Sequence, residues 1–127
     1  MQMLQTAAIL FAIAALGGIL MAGIRFARKI NPPAWVAMLH GLLAASGLTL
    51  LAYALCTQPL GSAHGTATTA LVLFLLAAAG GAVMSLQYKW KQRLLPAWLV
   101  LGHATAAVLG FLVLLFAAFG SSGPAVG

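Results

Sequence analysis

Four apolar runs, each long enough to cross a bilayer, decide what this chain can fold into. They cover about 3–24, 34–56, 67–86 and 97–119. A helical span needs about 20 mostly apolar residues to cover a hydrocarbon core of about 30 Å. Backbone N–H and C=O groups find no water in lipid, so each run must close its hydrogen bonds internally, as a helix. The runs are joined by short connections, which make consecutive helices antiparallel neighbours. The expected fold is therefore all-α, an integral membrane four-helix bundle forming one domain over 1–127. The residue content points the same way, with 64% hydrophobic and 5% charged residues, against roughly 25% charged in a soluble domain. The first run lacks a basic leader and is too long for the apolar part of a signal peptide, so it is expected to remain as a span.

The chain has no Asp or Glu, and its six Lys and Arg residues fall in two places. Arg25, Arg28 and Lys29 lie between the first and second runs; Lys89, Lys91 and Arg93 lie between the third and fourth. Neither the middle connection, about 57–66, nor the two ends carry any. The positive-inside rule places both basic loops in the cytoplasm and both termini outside, in a bacterial inner membrane. Orientation and contact with anionic lipid account for these charges, so no nucleic-acid partner is expected. Trp35, Trp90, Trp98 and Tyr88 fall at the same boundary, where amphipathic rings collect; Trp35 and Trp98 are also placed to pack against a cofactor. Proton-coupled transporters place carboxylates in the membrane, and this chain has none. A single cysteine, Cys56, excludes an internal disulfide and is expected to pack near a helix end.

An offset of 63 residues matches the chain to itself without a gap. Gly17-Gly18 meets Gly80-Gly81, Met21 meets Met84, and Pro33-Ala34-Trp35 meets Pro96-Ala97-Trp98. In the same register His40 meets His103 and Gly47 meets Gly110. The expectation is a tandem pair of helical hairpins, 1–63 and 64–127. Parallel repeats of this kind are related by a two-fold axis along the membrane normal.

Each conserved-spacing unit sets a histidine seven residues after its Pro-Ala-Trp proline. At 1.5 Å per residue both imidazoles lie about 9 Å into the lipid. Ionisable groups at that depth usually face the bundle interior, and neutral imidazole is a good iron ligand. Gly47 and Gly110 follow on the same helical stripe two turns later, where they offer room for a flat macrocycle or for a close helix approach. The Gly17-Gly18 and Gly80-Gly81 pairs read as helix-packing surfaces. Met21 and Met84 form a second matched pair; with the histidines they make a donor set suited to copper(I). His64 breaks the repeat and reads as a solvated loop residue.

Four apolar helices with membrane-embedded histidines on separate helices and small residues beside them resemble transmembrane four-helix b-type cytochromes and haem-bearing membrane-anchor subunits. The resemblance covers the whole chain in architecture and carries no family signature. It implies one haem b with His40 and His103 as axial iron ligands and propionates neutralised by basic residues, Arg25 and Lys89 being nearest the helix ends. It implies electron transfer within a larger respiratory or redox complex, with other membrane redox subunits or quinone as partners, and a homodimer is compatible with it. The alternatives are a cofactor-free structural or assembly subunit and a His/Met copper site.

Overall fold

The computed structural model describes residues 2–120. Four long helices carry the chain: α1 (Gln2–Arg28), α2 (Ala34–Thr57), α3 (Ala63–Val83) and α4 (Ala97–Phe119). A π-helical turn, Met84–Lys89, continues α3. All four are long and apolar enough to cross a membrane, and there is no strand among the described residues. Ile9, Leu16, Ile19, Leu42, Leu76 and Leu112 point outward. In water such a surface would be untenable; facing lipid tails it costs nothing, and helix association then rests on packing and interhelical hydrogen bonds.

Helices α1 and α2 pack as one hairpin and α3 and α4 as the other; α1 against α4 and α2 against α3 close the bundle. Its tightly packed core lies entirely in the half away from the basic loops. Leu4, Ala7, Phe11, Leu51 and Ala54 from the first hairpin meet Ala67, Ala70, Phe74, Leu114 and Ala117 from the second. Half of these are alanines, which let the helices approach closely where lipid supplies no hydrophobic driving force.

The last layer of this core is an aromatic stack. The rings of Phe11 and Phe74 lie parallel, 2° apart in plane, with centroids 3.7 Å apart. Gly47 backs the Phe11 ring and Gly110 backs the Phe74 ring. A Cβ at Gly47 would come within 3.0 Å of the Phe11 ring, and one at Gly110 within 3.2 Å of Leu73 and 3.3 Å of Phe74. All four helices thus contribute to one layer, in the order Gly47, Phe11, Phe74, Gly110. The missing side chains at Gly47 and Gly110 are taken up by phenylalanine rings.

At the basic end each hairpin turns in the same way. Lys29 and Gln92, 63 residues apart, both adopt φ +56°. A left-handed residue just past a helix is the usual stop, though glycine normally fills it. After Gln92 the chain closes as a Schellman turn, with Gln92 N–H donating to the Lys89 carbonyl at 3.1 Å and Arg93 N–H to the Tyr88 carbonyl at 2.7 Å. Pro33 and Pro96, both extended, then start α2 and α4. The two basic loops are sewn together. Asn31 Nδ2 donates to the Arg93 carbonyl at 2.6 Å, and its Oδ1 accepts from Leu95 N–H at 3.0 Å. Arg25 Nε donates to the Leu95 carbonyl at 2.7 Å.

The ends of the spans differ from the expected limits. Helix α3 starts at Ala63 instead of about 67, so His64 sits exposed in its first turn rather than in a loop. Thr68 and Thr69 hydroxyls bond back to the carbonyls of His64 and Gly65, which accommodates polar residues in the helix and hides its start from an apolarity count. Helix α1 runs on to Arg28 through its basic residues. Cys56 is exposed and packs in no core; it is two residues from buried Ala54, and about 200° of helical rotation turns it to the opposite face.

Candidate functional site

The histidines lie in the half nearer the basic loops, beyond the packed core cluster and among buried Ala14, Val36, Ala77 and Val100. His40 is on α2 and His103 on α4, across the bundle from each other. Their ring centroids are 6.1 Å apart, with planes at 67°. Each imidazole is held by the helix it packs against within its own hairpin. His40 Nδ1 is 2.7 Å from the Ala14 carbonyl oxygen on α1, and His103 Nδ1 is 2.6 Å from the Ala77 carbonyl oxygen on α3. A carbonyl only accepts, so Nδ1 carries the proton in both rings. In a neutral ring with its proton on Nδ1, the lone pair is on Nε2.

The glycine pairs make room for this. Around His40, a Cβ at Gly17 would lie 3.7 Å from the histidine's own Cβ, and one at Gly18 only 3.3 Å from the ring's Cε1. Around His103 the corresponding distances at Gly80 and Gly81 are 3.5 and 3.4 Å. The imidazoles therefore lie directly over the glycine pairs, where a methyl group is in ordinary contact at Gly17, Gly80 and Gly81 and tight at Gly18. Every element of the arrangement recurs at the 63-residue offset: the imidazole, its carbonyl partner and its glycine pair.

The remaining candidates fall at different distances from this centre. Gly47 and Gly110 belong to the phenylalanine layer, about 10 Å along the helices from the rings. Trp35 and Trp98 are each 69% exposed, on the outer surface near the basic end. Met21 and Met84 are half-buried and follow the glycine pairs by three and four residues, on the same helical face. Arg25 is committed to the Leu95 carbonyl, and the Lys89 ammonium is buried without a hydrogen-bond partner.

Sequence reasoning picked out the two histidines and missed what orients them. A backbone carbonyl 26 residues away leaves no signature in a sequence. The Gly-Gly doublets were the available signal: two adjacent small residues before the basic end of α1 and α3, in register with the histidines.

Among the described residues no group of three or more His, Cys, Asp or Glu side chains could hold a metal ion. What a pair of imidazoles can do is limited and definite. Histidine–metal bonds of about 2.0–2.1 Å put the ring centres of two imidazoles on opposite sides of one ion about 6 Å apart. Ligating histidines almost always donate their other ring N–H to a carboxylate, carbonyl or water, which orients the ring and raises its basicity. No family model matches this chain, nor does any curated protein or solved structure.

Proposed function

We propose that this chain is a membrane b-type cytochrome that transfers electrons through one haem, with His40 and His103 as its two axial ligands. The observation that carries the reading is the matched imidazole pair, 6.1 Å apart, each ring fixed through Nδ1 on a backbone carbonyl. With Nδ1 taken by a carbonyl in both rings, Nε2 is the atom each histidine has left for a metal. The small residues Ala14, Gly17, Gly18, Ala77, Gly80 and Gly81 line the same half of the bundle, where the apolar core has ended.

Two imidazoles fill both axial positions of a haem iron. That suits electron transfer and leaves no position for oxygen to bind. The positive-inside rule gives the basic end to the cytoplasm, so the centre lies in the cytoplasmic half of the membrane. Its electrons then pass to quinone or to a neighbouring redox subunit, with this chain acting as one subunit of a larger complex.

A second reading has its own observation. Met21 and Met84 share the helical face of the glycines that touch the imidazoles. Two imidazoles and two thioethers would bind copper(I).

The test is a dithionite-reduced minus air-oxidised visible spectrum of the detergent-purified protein, with total metal analysis. The expected result is a sharp b-type α-band, abolished in both His40→Ala and His103→Ala while helicity is kept. A colourless wild-type protein overturns the haem reading. Copper in the metal analysis then selects the His/Met site, and absence of metal leaves the two histidines as interhelical hydrogen-bond donors.

A further inference from the structure

The basic end carries six cations, and no side chain of the chain is an anion. Most of these cations are accounted for. Arg28, Lys29 and Arg93 are exposed, Arg25 donates to the Leu95 carbonyl, and Lys91 donates to Gln87 Oε1 at 2.7 Å. Lys89 is different. Its Nζ is buried and has no hydrogen-bond partner.

The side chain is half-buried, and the backbone that carries it departs from the repeat. From Met84 to Lys89 the helix widens into a π-turn, and Trp90 N–H donates five residues back to the Ser85 carbonyl at 2.8 Å. Such a turn rotates the side chains that follow it away from their α-helical directions, and π-turns recur at functional sites. The matching stretch of α1 is regular α-helix, and there the position equivalent to Lys89 is Phe26, 42% exposed. The departure from the 63-residue pattern therefore falls at the one charged side chain among the described residues whose nitrogen is buried without a hydrogen-bond partner.

Burying an unpaired ammonium is costly, and an anion beside it is one of two ways, with loss of the proton, to relieve the cost. The chain has no carboxylate side chain to supply, so the anion comes from outside. Lys89 is the last residue of the third membrane-length helix, and basic residues at span ends meet the headgroup region. We propose that Lys89 forms a specific site for the phosphate of an anionic phospholipid, set by the π-turn at the basic end of α3. The haem reading would pair the same ammonium with a propionate, and the His103→Ala arm of the test separates the two. Lysine suits the task as a compact point charge with three donors.

The test is native mass spectrometry of the detergent-solubilised protein titrated with phosphatidylglycerol or phosphatidylcholine. Wild type is expected to retain one phosphatidylglycerol with at least tenfold preference over phosphatidylcholine. Lys89→Met and Lys89→Gln lose the preference at unchanged helicity, and Lys89→Arg and Lys91→Met keep it. Retention in Lys89→Met and Lys89→Gln overturns the site, as does an equal loss in Lys91→Met, which would mean a diffuse field of charge. Millimolar inorganic phosphate should not compete; full competition would assign the site to soluble phosphate. His103→Ala should behave as wild type. A preference that arises only in His103→Ala would assign Lys89 to a cofactor carboxylate and overturn the lipid assignment.

Discussion

Replacing Phe11 by alanine is expected to lower stability by about 3 kcal/mol. Both the folded and the unfolded chain keep the phenyl ring in lipid, so the usual water-to-core transfer gain is absent and the packing loss dominates. A void of roughly 100 Å³ at about 24 cal/mol per Å³ gives about 2.4 kcal/mol. The lost ring contact adds about 0.5 kcal/mol, the low end for aromatic pairs, because rings 3.7 Å apart and 2° from parallel form a face-to-face sandwich. Phe74→Ala should cost about the same. The double variant should cost less than the sum, since each ring forms one wall of the other's site. Phe11→Leu should cost less than Phe11→Ala, because it fills most of the volume. Unfolding in mixed micelles, followed by loss of helical circular dichroism, measures all four. Additive losses from the two alanines would mean that the rings do not share a layer.

If the proposed haem is bound, Gly81→Leu is expected to weaken its retention about 10–100-fold, the range for losing the group that orients a metal-binding histidine. A Cβ at Gly81 would be 3.4 Å from His103 Cε1, which is ordinary contact, so Gly81→Ala should leave retention nearly unchanged. The further carbons of leucine overlap the imidazole and drive it off the Ala77 carbonyl. Gly18→Leu should act on His40 in the same way. Gly102→Leu is the control, because no atom lies within 4 Å of a Cβ there. Haem transfer to apomyoglobin, followed by absorption, reads the effect. Equal retention in Gly81→Leu and Gly102→Leu would mean that the glycine pair does not set the imidazole.

The contrast between glycines shows how far a sequence can be read. Gly47 and Gly110 stand on the stripe of the histidines in their own helices, and helical periodicity alone pairs each with the ring seven residues earlier. Their true neighbours, Phe11 and Phe74, come from other helices, and periodicity within one helix says nothing about the face a neighbour presents. The Gly17-Gly18 and Gly80-Gly81 doublets were legible as packing surfaces. That the packed groups are His40 and His103 follows only from the way each hairpin closes.

The four spans were legible because crossing lipid demands a long apolar run, and few other signals are as strong. Their ends were less so. The α3 start at Ala63 lies among threonines, glycine and histidine that look like loop, and side-chain bonds to i−4 carbonyls keep that stretch helical. The π-turn at Met84–Lys89 had no warning in the sequence, because residues 21–26 align with it without a gap and form a regular helix. The clasp of Asn31 on Arg93 and Leu95 was equally hidden, since its partners are backbone groups.

The central claim is a single haem held between His40 and His103. The measurement that tests it most directly is the low-temperature electron paramagnetic resonance spectrum of the air-oxidised protein, integrated against chain concentration. Two imidazoles on one iron predict a low-spin ferric signal amounting to one spin per chain, replaced by a high-spin signal or none in His103→Ala. A high-spin ferric signal in the wild type, a cupric signal, or no metal signal from folded protein would contradict it.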